Sequence, residues 1–112
     1  MSAQPFPERR AAPRYPLRLP VIFYWNDGSD HAGGGFTIDI AVDGALISSS
    51  SCPPVGTEVQ VEVLIPSPRF ALEEIRIQSK GVVTRIWKEL GAGYFGLRGE
   101  FNDDQLTQHV IR

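Results

Sequence analysis

A chain of 112 residues is the size of one domain, and an apolar share of 42% is enough for a single modest core. The net charge of -2 argues against a binder of nucleic acid polymers, which is usually basic overall. The longest apolar runs are only a few residues, so no segment inserts in a membrane. The lone cysteine, Cys52, can form no internal disulfide, and Cys/His metal spacing is absent. With no secretory signal pattern at residues 1–7, the expectation is a soluble cytoplasmic domain.

In chain order, residues 1–16 carry Pro5, Pro7, Pro13 and Pro16. That density of proline opposes regular helix and strand and predicts a flexible N-terminal arm. Residues 17–112 are predicted to form the folded domain. Leu17, Leu19, Val21, Phe23 and Trp25 alternate with Arg18, Pro20, Ile22 and Tyr24, which is strand patterning. Pro20 cannot donate to a ladder, so this strand is expected to start late or lie at an edge.

Residues 26–30 have turn chemistry. Gly33, Gly34 and Gly35 are read as the lead into a short strand at residues 36–40. Asp43-Gly44 breaks it before a further strand at residues 45–47. Val59, Val61, Val63 and Ile65 alternate with Gln60, Glu62 and Leu64, the cleanest strand in the chain. Residues 69–72 show no period. Strand patterning returns at Ile75 and continues to Trp87, with Gly81 predicted to mark a bulge or bend. Tyr94 to Phe101 alternate again, and Asn102-Asp103-Asp104 is able to cap a short helix over residues 104–111.

Six short alternating strands and one terminal helix predict an all-β barrel or sandwich. No enzyme motif accompanies it. His31 and His109 lack a Ser, Cys or Asp at recognisable catalytic spacing and read as surface residues. The glycine run precedes a strand and lacks a following Lys-Ser/Thr, so it is not a phosphate loop.

Charge is unevenly distributed. Arg9, Arg10, Arg14 and Arg18 crowd residues 9–18. A guanidinium forks onto phosphate oxygens or onto guanine O6 and N7, and stacks on purines. Arginines on a mobile arm therefore suit an anionic purine ligand; a solvated basic tail is the plainer reading of the arm alone. Asp39 at a strand end can accept from the N1–H and N2–H₂ edge of guanine. Gly44 allows a positive φ or a close backbone approach. An ordinary Asx turn explains the same residues.

The combination is more specific than either half. Arg10-Ala11-Ala12-Pro13-Arg14, followed 25 residues later by Asp39-Ile40-Ala41-Val42-Asp43-Gly44, resembles the R-x-x-x-R and (D/N)-x-S-x-x-G pattern of the PilZ family. The resemblance extends from about Glu8 to about Phe101. It implies a six-stranded antiparallel β-barrel that binds cyclic di-GMP, with no other cofactor and no metal. Arg10 and Arg14 would grip guanine and phosphate, Asp39 the guanine edge, and Gly44 the turn. Arg9, just before the motif, would accompany an intercalated pair of ligand molecules. Ala41 departs from the pattern, which has serine there. Arg98, opposite Phe95, Leu97 and Phe101 in the alternation, can reach a ligand on the barrel exterior or stand solvated.

The expected function is a receptor module whose arm orders on cyclic di-GMP and which signals to a downstream protein partner. The alternative is an adaptor of the same fold that binds a partner with weak or no ligand binding. Trp25 and Trp87 read as core or rim packing.

Overall fold

The computed structural model describes residues 13–66, 74–89, 91–102 and 105–106. Six strands dominate: β1 (Pro20–Asn26), β2 (Asp30–Ala41), β3 (Gly44–Ser48), β4 (Glu58–Pro66), β5 (Glu74–Glu89) and β6 (Ala92–Glu100). All pairings are antiparallel, and the order β1-β2-β3-β6-β5-β4 closes through β1 against β4. Closure leaves none of the six strands with a free edge.

Alternation decides what fills the barrel. Val21 and Phe23 of β1, Val59, Val61 and Val63 of β4, Ile77 and Val83 of β5, and Phe95 and Leu97 of β6 are buried. Phe23 and Phe95 meet edge to face at 5.0 Å in the middle of this core, a geometry that adds to their area burial. The polar partners in each alternation face outward.

Two expectations are corrected in detail. First, Gly33, Gly34 and Gly35 do not precede a strand; they lie within the 12-residue β2, opposite Phe23, Ile22 and Val21. The long β1–β2 hairpin supplies their ladder bonds, which outweighs the weak strand preference of glycine. Second, β5 is one continuous strand of 16 residues, and its register shift falls between Val83 and Arg85 rather than at Gly81. Gly81 stays in register opposite Gly99, and a Cβ there would stand 2.8 Å from the Arg98 carbonyl oxygen. Close approach, not a bend, calls for its lack of a side chain. His31 is the second residue of β2, opposite Trp25, with the two rings stacked at 4.9 Å.

Of the helix expected over residues 104–111, Gln105 and Leu106 are described. The Asn102 side-chain oxygen accepts from Gln105 N at 2.9 Å and its carbonyl from Leu106 N at 3.0 Å, the bonding of a helix start. Leu106 is wholly buried in the core. The rest of that expectation lies outside the described residues, as does segment 69–72.

Candidate functional site

The site is built on the end of β2. A register shift between Thr37 and Asp39 inserts Ile38 as an extra residue. Strict alternation would put Thr37 and Asp39 on one face. The bulge separates them. Thr37 is buried opposite Ile47 of the core, whereas Asp39 stands opposite Leu46, between the buried Ala45 and Ile47, and so faces outward.

The chain before β1 runs back along this stretch. Tyr15 and Ile40 exchange backbone hydrogen bonds, Tyr15 N to Ile40 O at 2.9 Å and Ile40 N to Tyr15 O at 3.0 Å. Arg14, one residue earlier, lies against Asp39, its Nη1 donating to Asp39 Oδ1 at 2.6 Å. Both side chains are about a quarter exposed (29% and 24%), so the pair is reachable from solvent. Arg14 Nε is buried with no hydrogen-bond partner. The guanidinium thus keeps unused donor capacity while one nitrogen is engaged.

The β2–β3 turn is sewn to β6. Phe101 N donates to Val42 O at 2.8 Å and Gly99 N to Asp43 O at 3.1 Å. A Cβ on Gly44 would stand 2.2 Å from the Leu97 carbonyl oxygen. Among the described glycines a positive φ occurs at Gly28, Gly56 and Gly91, so Gly44 is demanded by close approach and not by φ. Ala41, opposite Gly44, is fully buried. Asp43 Oδ1 is buried and without a partner.

Register carries this face across the barrel. Ala41 pairs with Gly44, Gly44 with Arg98, and Arg98 with Val82. One row along, Asp39 pairs with Leu46, Leu46 with Gly96, and Gly96 with Arg85. Strands are about 4.8 Å apart, so Arg98 stands roughly 10 Å across the sheet from Ala41. Arg98 is exposed.

The structure therefore brings Arg14, Asp39, Gly44 and Arg98 onto one outer face, with Ala41 in the same row by register but buried. Arg9 and Arg10 lie outside the described residues. Trp87, read from the sequence as core or rim packing, stands at the rim of this face. It pairs with Tyr94 and is 41% exposed, with the Arg85 guanidinium 5.2 Å from its ring centroid. Its Cη2 and Cζ3 stand 3.8 Å from where a Cβ of Gly96 would be. The indole leans across β6 toward the row that holds Asp39. A strict two-residue period from Val83 puts Arg85 and Trp87 inside; the bulge at Thr84 turns both outward, so periodicity carried no signal for them.

A second polar cluster sits at the β1–β2 hairpin. His31 Nε2 contacts Asp27 Oδ1 at 2.7 Å and Ser29 Oγ at 3.3 Å. Both contacts fall on one ring nitrogen, whereas a nucleophile–base–acid relay needs serine and carboxylate on opposite nitrogens. Among the described residues no three His, Cys, Asp or Glu side chains are grouped to hold a metal ion, and no helix is long and apolar enough to cross a membrane.

Fold and face together define a small closed β-barrel domain that carries an arginine–aspartate pair on its exterior. The family model described as PilZ domain matches residues 8–112, and the chain belongs to that family. Among solved structures it is similar to the Bacillus subtilis inhibitor of motility (MotI/DgrA), with a TM-score of 0.67 and 15% identity over 93% of this chain. The chain spans 49% of that protein's length. It is also similar to the PilZ domain of CeSA from a cellulose-synthesizing bacterium, with a TM-score of 0.46 and 24% identity, covering 88% of this chain and 91% of that one. No curated protein matches the chain.

Proposed function

We propose that the domain is a cytoplasmic, non-enzymatic receptor that binds cyclic di-GMP on the outer face of β2, β3 and β6 and passes the signal to a protein partner. One observation carries the reading. Arg14, the second arginine of R-x-x-x-R, and Asp39, the first residue of D-x-A-x-x-G, are joined at 2.6 Å on the exterior of a PilZ-family barrel.

Each residue has a physical role in this reading. Arg14 uses its free donors on guanine or phosphate, and Asp39 accepts from the guanine edge. Gly44 lets the turn lie flat against β6. Arg98 supplies a second positive charge across the face. Arg9 and Arg10 close over the ligand from the arm, which gives up its freedom in return for charge-assisted bonds. Ala41 is buried, so a hydroxyl at that position would point into protein and brace the turn. Its absence costs about 0.5–1.5 kcal/mol at most, a few-fold to tenfold in affinity. Ala41→Ser should leave affinity equal or raise it.

Calorimetric titration with cyclic di-GMP is the test. Saturable heat, reduced by Arg10→Ala and by Arg14→Ala, supports the reading; no heat at high micromolar ligand rejects it. The adaptor reading is favoured by a different observation, the alanine at position 41 where the family pattern has serine. A partner retained equally with and without cyclic di-GMP would support the adaptor.

A further inference from the structure

We propose that Thr37 is the positioning residue that holds Arg14 over Asp39; the inference rests on the cyclic di-GMP reading only for its consequence on affinity. Thr37 belongs to neither motif and is fully buried.

The argument starts from a mismatch in length. The segment before β1 meets β2 at two places by backbone hydrogen bonds. Thr37 N donates to Leu19 O at 2.8 Å, and Tyr15 and Ile40 exchange the pair already described. Between those places the segment takes four residue steps, from Tyr15 to Leu19, while β2 takes three, from Thr37 to Ile40. The surplus residue forms a tight turn in which Leu17 N bonds back to Tyr15 O at 2.8 Å. A regular ladder cannot continue through such a step.

The Thr37 side chain occupies the gap. Its Oγ1 donates to the Leu17 carbonyl oxygen and accepts from Leu19 N at 2.8 Å. One atom thus satisfies a stray acceptor and a stray donor. Only a hydroxyl does both from a side chain this small. Unsatisfied backbone groups in a buried setting are costly, so this clip favours the docked course of residues 15–19. Arg14 is the next residue beyond it. The Ile38 bulge completes the device, because it turns Thr37 toward the segment and Asp39 toward Arg14 within three residues of chain.

The test compares Thr37→Val, which keeps the branched shape and loses the hydroxyl, with Thr37→Ser, which keeps the hydroxyl. In Thr37→Val the amides of Tyr15 and Leu19 should exchange with solvent at least tenfold faster, while Val61 and Val63 of β4 keep wild-type protection. Cyclic di-GMP affinity should fall about tenfold, the size expected for a lost hydrogen bond. Thr37→Ser should restore both to within about threefold. In an Arg14→Ala background Thr37→Val should cost little further affinity, since the two act through one contact.

Unchanged Tyr15 protection in Thr37→Val overturns the proposal, and so does an affinity loss that persists in full in the Arg14→Ala background. If Thr37→Val does not fold, Thr37→Ala removes the same hydroxyl without the extra methyl. Loss of β4 protection in both variants would assign Thr37 to the barrel as a whole and also overturn it. Should the wild-type protein bind no cyclic di-GMP, the functional reading fails and amide exchange alone decides the role of Thr37.

Discussion

Arg14 and Asp39 are 25 residues apart in the chain and 2.6 Å apart in space. Three local features produce that contact: the Tyr15–Ile40 backbone bridge, the Thr37 clip, and the bulge at Ile38 that turns Asp39 outward. The ion pair is partly exposed, so its own contribution to stability is small and screened by salt. In the proposed function its importance is geometric, because it fixes the relative position of the two side chains assigned to guanine. Preorganisation of this kind reduces what must be ordered on binding.

Arg14→Ala should weaken cyclic di-GMP binding by roughly 10- to 150-fold, the loss of a charge-assisted hydrogen bond worth about 1.5–3 kcal/mol. Asp39→Ala should act in the same range. The melting temperature should move little in either variant. Titration calorimetry beside thermal unfolding checks both; wild-type affinity in either variant would remove that residue from the site.

Gly44→Ala should destabilise the barrel. The new methyl meets the Leu97 carbonyl oxygen at 2.2 Å, a backbone atom that cannot swing aside. Forcing β3 from β6 should cost about 1–3 kcal/mol or more, read as a lower midpoint in urea unfolding. A variant as stable as wild type would show that the turn has room to shift.

Trp87 should report the ligand. It stands on the outer face, while Trp25 belongs to the hairpin side, packed between Phe23 and His31. Cyclic di-GMP should change the intrinsic tryptophan fluorescence. Trp87→Phe should abolish the change, and Trp25→Phe should preserve it. The reverse pattern would locate the ligand elsewhere on the barrel.

Cys52 should be a slow nucleophile. Burial pushes its thiol above the ordinary value, and the positive charge of Lys88 pulls it part of the way back. The thiolate is the reactive form, so alkylation by iodoacetamide should be slower than for free cysteine near pH 8. Its rate should keep climbing with pH after that of free cysteine has levelled off. Lys88→Ala should move the profile to still higher pH. The chain has a single cysteine, so mass spectrometry reads the reaction without ambiguity. A profile at or below that of free cysteine would contradict the burial argument.

The strand class, most of the core and both motifs of the candidate site are legible in residue type and spacing alone. Val59, Val61 and Val63 alternate because one face of β4 must be dry, and that need is written in residue type alone. The spacing from Arg14 to Asp39 was likewise visible, as was the requirement for glycine at position 44, though not which of its two uses applied. What period two cannot express came from the register of strand against strand. A bulge changes the facing of every residue after it, and whether a strand takes one depends on its partner's register. The bulge at Ile38 therefore set Asp39 outside, and the bulge at Thr84 brought Arg85 and Trp87 to the same surface. Thr37 had no signal in the sequence, because its task exists only where four residue steps of one segment must lie along three of another.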